Sequence, residues 1–338
     1  MEQLVVDDTW LGLTSDRQYA DLTYTGRMPY GCWSAAWTME PGDHGLYRGQ
    51  SVDIYDGTTP IWAGHIAAVD PQTGEYNADG AAREAEKRLA LISGAASGFP
   101  GATTDDAITR GMNWAGRDIT PSFSVPVIAT ATLDTGPVYL QQLLDAGAEE
   151  SGTYWWVPGG RILRMDALAT DPEWFIAPGY VALGVDDEDY AQYVFGRFFN
   201  SGTSAYATAT AEDTAAPWGG AEKAVSLVGR GPMTSARANS IIANVLARDG
   251  ARLAAVGSIE VDASNLTNAG GTPADVMLVT EGQRVRALGV FADGTSITPY
   301  LDFNIGEIRH TKGESSITLQ PIGRAAANLQ ALFEKEGK

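Results

Sequence analysis

The sequence predicts a mainly β protein with an α+β insertion: two related β-barrel domains, a small α/β module between them and a C-terminal helix. Three observations point there. Short segments alternate apolar and polar residues with the period of a half-buried strand, most clearly Val52 and Ile54 against Ser51, Asp53 and Tyr55. The chain spends 39 Gly and 16 Pro on 338 residues, enough punctuation for many short strands. A segment near the N-terminus also has an echo near the C-terminus. The expected divisions are a first barrel over 1–95, an inserted module over 96–182, a second barrel over 183–320 with an inserted helix near 235–248, and a helix over 321–338.

Taken in order, Leu4–Val6 and Leu22–Tyr24 are strand-like, with Thr23, Tyr24 and Thr25 supplying β-favouring side chains. Trp33–Met39 alternates loosely and closes on the Pro41-Gly42 turn. Ser51–Tyr55 and Ile61–Val69 flank Asp56-Gly57, which supplies the positive φ of a tight hairpin. Gly64 reads as a bulge or bend. Pro71–Gly74 turns the chain again into Glu75–Gly80. Ala81–Ile92 fits a short helix or a strand ending at Gly94, and helix is favoured.

Ser93–Thr104, rich in Gly, Ala and Ser, marks the first boundary. Asp105–Trp114 has helical spacing and Val125–Ile128 is strand-like. Pro137 opens a helix with Leu140, Leu143 and Leu144 on its buried stripe, ended by Gly147. Pro158-Gly159-Gly160 joins Tyr154–Val157 to Arg161–Met165 as a hairpin. The pattern then returns to β at Tyr193–Phe195, Tyr206–Thr210 and Ala224–Val228. Ser235 reads as the N-cap of a helix that buries Ile241, Ile242, Val245 and Leu246. Met277–Thr280, Arg284–Leu288, Ile297–Tyr300, Phe303–Ile308 and Ser316–Leu319 follow as strands. Pro321–Glu336 is an amphipathic helix with Ile322, Ala325, Ala326, Leu329, Leu332 and Phe333 on one stripe.

The echo runs in one order. Gly49-Gln50-Ser51-Val52 matches Gly282-Gln283-Arg284-Val285, and Asp56-Gly57-Thr58 matches Asp293-Gly294-Thr295. Gly64-His65-Ile66 aligns with Gly306-Glu307-Ile308, and Gly74-Glu75 with Gly313-Glu314. The second copy has the longer hairpin. Turns reuse Gly and Asp, so two unrelated hairpins can also look alike. If the echo is real, one chain holds two related barrels.

Charge and residue usage exclude several functions. With 42 acidic and 23 basic side chains the net charge is −19, which opposes nonspecific binding to nucleic acid or an anionic membrane. One cysteine, Cys32, rules out an intramolecular disulfide framework and a thiolate zinc site. Only His44, His65 and His310 could add imidazole to a metal site. No run approaches the ~18 apolar residues of a membrane span, and MEQLVVDDTW lacks the features of a signal peptide. Synthesis in a cytoplasm without signal-directed export is expected.

No catalytic, cofactor-binding or metal residues are assigned. Asp186-Asp187-Glu188-Asp189 lacks the spacing of a calcium loop and reads as a solvated turn. Gly229-Arg230-Gly231-Pro232 lacks the lysine of a phosphate loop. Cys32 beside Trp33 reads as packing rather than as a nucleophile. Asn265-Leu266-Thr267 is a glycosylation sequon by pattern, without meaning in a protein that is not secreted. Nine tryptophans, including Trp155-Trp156, could stack sugars or fill cores and interfaces.

The segment GLYRGQSVDIYDGTTPIWAGHIAAVDPQTGEYNADG resembles the first barrel of tailed-phage tail-tip (baseplate) hub proteins. YLQQLLDAGAEESGTYWWVPGGRILRM looks like their inserted α+β domain. VTEGQRVRAL, followed by FNIGEIRHTKGESSITLQPIGRAAANLQALF, resembles their second barrel and terminal helix. In particular, the chain is similar to minor tail proteins of long, noncontractile-tailed phages (siphoviruses) infecting actinobacteria. The resemblance implies a structural virion protein without catalysis of its own, needing no cofactor. It implies a homotrimer at the tail tip, assembled in the host cytoplasm. Its six barrels would meet the distal tail protein ring, the tape-measure protein and downstream tip or central fibre proteins. DNA would pass through the lumen during ejection without specific binding, and no membrane insertion is implied. The terminal helix would contact the tape-measure protein or a central fibre, or cap the barrel. No hydrolase module is expected beyond it. Two alternatives stay open: a carbohydrate-binding or cell-wall-degrading tip protein, and a distal-tail adaptor ring, which the internal echo disfavours.

Overall fold

The computed structural model describes residues 2–12, 18–87, 120–121, 139–178, 184–186, 191–214, 222–249, 254–256, 258–289 and 300–322. The first half contributes strands β1 (Glu2–Val6), β2 (Thr9–Trp10), β3 (Tyr19–Arg27), β4 (Tyr30–Met39), β5 (Ser51–Asp56), β6 (Thr59–Asp70) and β7 (Glu75–Gly80). A single turn of helix, α1 (Glu84–Lys87), follows. The middle holds β8 (Thr120–Pro121), α2 (Leu140–Ser151), β9 (Tyr154–Val157), β10 (Ile162–Asp166) and β11 (Trp174–Ile176). Next come β12 (Gly184–Asp186), β13 (Tyr193–Asn200), β14 (Ala205–Glu212), β15 (Glu222–Ser226), β16 (Pro232–Met233) and α3 (Ser235–Asp249). The last stretch comprises β17 (Ala254–Val256), β18 (Ile259–Asp262), β19 (Leu266–Asn268), β20 (Arg284–Leu288), β21 (Tyr300–Thr311) and β22 (Ser316–Pro321).

The protein is mainly β, with few helices among the described residues. One sheet of 16 strands runs β19-β11-β20-β21-β3-β4-β7-β6-β5-β1-β2, with β8, β9, β10, β18 and β22 joined at its sides. Among the described residues, apolar cores form on it and beside it. The first is built on Leu4, Leu22, Trp37, Ile54, Trp62 and Tyr76, the inward members of alternating strands. The second is built on Ile176, Val261, Val285, Phe303, Ile305 and Leu319. Met277 packs against both. The third joins Val194 and Phe198 to Leu227, Ile241, Ile242 and Val245, where α3 covers the separate sheet of β13 to β16.

The predicted strands of the first half are present: Glu75–Gly80 has the expected bounds, and the others are longer than their alternation suggested. Gly64 is not where β6 bulges; the register shifts between Ile66 and Ala68. A Cβ on Gly64 would instead fall on the Asp79 carbonyl and the Trp62 ring, so the glycine permits close approach of β7. Ala81–Lys87 is a 3₁₀ turn followed by α1, so the favoured helix extends only that far among the described residues. Helix α2 runs through Gly147 to Ser151, and Gly152 closes it in the left-handed region at φ 69°. Helix α3 buries Ile241, Ile242 and Val245 as expected. Its cap is Thr234, whose Oγ1 accepts from the Arg237 N–H at 3.3 Å, and Ser235 is already helical. Met277–Thr280 is not a strand: Val276–Leu278 is a 3₁₀ turn held by the Asp275 side chain, which accepts from the Met277 N–H. The expected elements Asp105–Trp114, Val125–Ile128 and Ile297–Tyr300 up to residue 299, and the helix after Ile322, lie outside the described residues.

The Pro158-Gly159-Gly160 turn forms, and it docks the middle of the chain onto the first core. A Cβ on Gly159 would meet the backbone of Ile61, Pro60 and Trp62 at 2.5–2.6 Å. Arg161, at φ 56°, donates from Nε and Nη2 to Asp53 Oδ1 at 3.1 and 3.0 Å, and from Nη2 to the Gly64 carbonyl at 3.1 Å. Half-buried charged hydrogen bonds of this kind are worth about 1.5–3 kcal/mol. Arg161→Ala is therefore expected to lower unfolding free energy by about 2 kcal/mol in urea titration, and Arg161→Lys to recover only part of it. On the other side, α2 is tied to α3 by Arg237, which donates to Glu150 at 2.7 and 2.9 Å, and by Asn244, which donates to the Glu150 carbonyl at 2.7 Å.

Candidate functional site

The echo in sequence is an echo in hydrogen bonds. In the first half, Gln50 Oε1 accepts from the Tyr47 N–H at 2.8 Å, three residues back. In the second, Gln283 Oε1 accepts from the Thr280 N–H at 2.8 Å, again three residues back. The glycine before each glutamine takes positive φ, 94° at Gly49 and 83° at Gly282. Gly49 donates to the Ile66 carbonyl and Ile66 donates to the Gln50 carbonyl, at 2.8 and 2.9 Å. Gly282 and Ile305 exchange the same pair with Gln283, at 2.8 and 2.9 Å. Each Gly-Gln pair thus clamps the base of one hairpin, β5–β6 or β20–β21. The return strands carry their register shift at the same place, between Ile66 and Ala68 and between Ile305 and Glu307. Ile66 therefore corresponds to Ile305, which corrects the alignment of Gly64-His65-Ile66 with Gly306-Glu307-Ile308. Gly74 and Gly313 both take positive φ in the turns that follow. Asp293-Gly294-Thr295 lies outside the described residues.

The two halves meet where β3 pairs antiparallel with β21, from Arg27↔Glu307 to Thr23↔Thr311. Opposite residues are matched chemically. Arg27 donates to Glu307 Oε2 from Nε at 3.1 Å and Nη2 at 2.8 Å, and its guanidinium lies 4.5 Å from the Trp33 ring centre. Tyr24 stacks on His310 with centroids 4.8 Å apart. The Tyr24 hydroxyl donates to Glu2 Oε1 at 3.1 Å, and Met277 Sδ lies at the same distance from it. Beyond the ladder, Met28 N–H donates to the Gly306 carbonyl at 2.6 Å and Lys312 N–H to the Leu22 carbonyl at 2.8 Å.

Two titratable groups at this junction are shifted toward their neutral forms by desolvation. His310 is 4% exposed, donates to the Val279 carbonyl, and leaves Nδ1 without a hydrogen-bond partner. Desolvation lowers its pKa to about 4. Desolvation also pushes the Glu281 carboxyl, which lies against Gly26, up to about 7. The signs oppose. His310 contributes stability above its ordinary pKa near 6.5, and that is lost as pH falls through 6.5 toward 4. Glu281 costs stability as pH rises from about 4.5 through 7, by about 3 kcal/mol at full ionisation. Glu281→Gln is expected to raise the melting temperature at pH 8–9 and to leave it unchanged near pH 4; an equal shift at both would disprove the assignment.

Glu281 also lines a cavity of about 460 Å³ together with Met28, Trp156, Arg164, Glu173 and Gln283. The cavity sits where the β3–β4 turn, the β9–β10 hairpin and the approach to β20 converge. Its lining carries the acids Asp166, Glu173 and Glu281, the Thr280 hydroxyl and Arg164, and no histidine or cysteine is among its lining residues.

The remaining sequence candidates are dispersed. Cys32 is 2% exposed, accepts from the Ala63 N–H at 3.4 Å, and burial raises its pKa, so it packs as a small apolar group. His44 bonds the Glu40 carbonyl at 2.7 Å, and His65 lies 3.0 Å from Glu84. Among the described residues no three His, Cys, Asp or Glu side chains converge as metal ligands. Trp155 is 1% exposed and donates to Asp145 Oδ1 at 2.8 Å, which makes it core. Trp156 is half-buried on the cavity. Arg230 of Gly229-Arg230-Gly231-Pro232 is ion-paired with Glu149 rather than free for phosphate. Asn265-Leu266-Thr267 spans a 3₁₀ turn and β19, with Leu266 buried. Asp186 is in β12, and Asp187, Glu188 and Asp189 lie outside the described residues. The clamps had a signal in sequence, the repeated Gly-Gln; the β3–β21 seam had none, because its partners are far apart in the chain.

No protein-family model matches the sequence, and no curated protein sequence matches it. The fold has counterparts among solved structures. The tail protein from Neisseria meningitidis MC58 superposes with a TM-score of 0.62 at 14% identity, covering 95% of this chain and 97% of that one. The 43 kDa tail protein of prophage MuSo2 from Shewanella oneidensis gives 0.61 at 10%, covering 97% and 99%. Prophage tail protein gp18 from Listeria monocytogenes EGD-e gives 0.60 at 12%, covering 100% and 99%. At these identities the likeness is one of fold, and it runs the length of each chain.

Proposed function

We propose that this chain is a structural component of a phage tail: the trimeric hub of the tail tip, joining the tail tube to the tip. The observation that carries the reading is the pair of equivalent Gly-Gln clamps, which makes one chain a tandem of two like modules. The full-length likeness in fold to prophage tail proteins supports it. Three chains would supply six like modules around one axis, matching threefold tip to sixfold tube, and closed rings are the usual form of such assemblies. In this reading the modules are β-barrels over 1–95 and 183–320, the α+β module over 96–182 lies between them, and a helix expected over 321–338 follows only after Ile322, since Pro321 closes β22. The partners are the distal tail protein ring, the tape-measure protein and the tip or central fibre proteins. Net charge of −19 suits a channel wall, since carboxylates repel DNA phosphates and let the genome slide.

The reading assigns no chemistry to the cavity and treats the chain as non-enzymatic. Its host is an actinobacterium and its phage a siphovirus. Mass photometry of the purified protein is expected to show a species at three times the 35.8 kDa chain. Antibody labelling is expected at the tail tip of intact virions. A chain that stays monomeric at all concentrations and is absent from purified tails would overturn it.

A further inference from the structure

The equivalence of the two halves extends past the hairpins. In the first half β7 pairs with β4, and β3 lies beyond β4. In the second half β22 pairs with β18, Ile259↔Leu319 and Val261↔Ile317. Strand β17 immediately precedes β18, also approaches β21 and β22, and pairs antiparallel with β12, Gly184↔Val256 to Asp186↔Ala254. Strands β17 and β18 together therefore hold the position of β4, and β12 holds the position of β3. The short turn between Arg27 and Tyr30 is replaced in the second half by residues 187–253, which include the third core.

This mapping leaves two edges over. Past its clamp, β21 is flanked by β3, over Glu307–Thr311. With Ile66 matched to Ile305, the corresponding flank of β6 begins at Ala68 and runs to the strand end at Asp70. Among the described residues no strand pairs there: β5 covers β6 only up to His65, Gln50 reaches Ile66, and β7 lies on the opposite side. Ala68 and Asp70 are exposed. Strand β12, for its part, pairs only with β17 among the described residues. One half thus offers an open acceptor edge and the other an open donor strand, and the closed β3–β21 seam displays how such a pair fits. We infer that Gly184–Asp186 of one copy pairs antiparallel with Ala68–Asp70 of the next copy of this chain. The inference rests on the assembly reading above and names its contact. The interface is head-to-tail, so intrachain and interchain seams alternate and repeat into a ring or, if the rotation fails to close, a helix. An open edge of this kind is a template for strand addition, and a second copy supplies the matching strand.

Cysteine pairing tests it, because the native Cys32 is buried and silent. Full-length Val69→Cys and Val185→Cys proteins are prepared separately, with Ala68→Cys and Asp186→Cys as a second pair should either misfold. Under mild oxidant, the mixture of the two variants is expected to give a disulfide-linked dimer, and neither variant alone is expected to give one. A chain carrying both substitutions should give a ladder of covalent oligomers. No mixed disulfide from either pair, in a protein that mass photometry still finds oligomeric, would overturn the seam and leave the assembly reading standing. A wild-type chain that is monomeric throughout would overturn both. Homodimer formation by a single variant would also overturn it, since it requires a two-fold contact.

Discussion

Gly80→Val is expected to abolish folding of the first half, with loss of the unfolding transition rather than a shift in it. A Cβ at this position would fall on the carbonyl of Cys32 and within 2.5 Å of the Trp33 nitrogen. Those are backbone atoms of β4, the neighbour of β7, and they cannot rotate aside as a side chain could. Relief would require β4 and β7 to separate, breaking the ladder that runs from Ser34↔Asp79 to Thr38↔Glu75. Within that ladder Trp37 and Tyr76 lie opposite each other, 1% exposed and stacked 5.6 Å apart. The cost is about 4 kcal/mol or more, in the range reserved for backbone collisions in a core. Circular dichroism and urea titration of the variant measure it. Cooperative unfolding at the wild-type midpoint would show that β4 and β7 can part without loss.

The second large effect is at Trp155. Replacing it by Ala removes a ring that is 1% exposed, meets Tyr30 edge-on at 5.2 Å, and hydrogen-bonds Asp145. A vacated tryptophan site costs about 3–5 kcal/mol, and Asp145 loses a partner as well. The expected result is a large fall in the denaturation midpoint. Trp156→Ala, at a half-buried position on the cavity, is expected to cost much less. The contrast also bears on the glycan reading. If Trp155→Ala left stability intact and abolished binding to host cell-wall glycan, the tryptophan would be a binding surface instead of core.

Much of the fold could be read from the sequence where local rules decide. Alternation located β5, β6 and β7, and Ile241, Ile242 and Val245 gave the buried face of α3. The errors fall where tertiary contact overrides a local signal. Gly64 looked like a bulge because glycine often marks one, yet it is spared a side chain by the Asp79 carbonyl across the sheet. Gly147 looked like a helix end, but nothing stops α2 until Gly152 takes the left-handed conformation. Thr234 and Ser235 are both good caps, and only geometry chooses between them. Met277–Thr280 has strand composition, while the Asp275 side chain winds its first residues into a 3₁₀ turn. The third core was invisible as a unit because it interrupts a hairpin, so its flanking strands β12 and β17 are short and separated by residues 187–253. At the candidate site, the Gly-Gln repeat carried the clamps; the pairings Arg27–Glu307 and Tyr24–His310 depend on a fold that brings opposite ends of the chain together.

The clamps have a consequence for how such a chain can change over generations. Each Gly-Gln pair fixes register at the base of its hairpin, so the far end is free to differ. It does: β5 and β6 are joined through Gly57 and Thr58, whereas residues 289–299 separate β20 from β21. Lengthening a loop costs only about 0.6 kcal/mol per doubling, and a register slip would turn every inward side chain outward. The same economy operates where residues 187–253 replace a two-residue turn. Changes at the hairpin ends would therefore leave intact the register that neighbouring copies have to match.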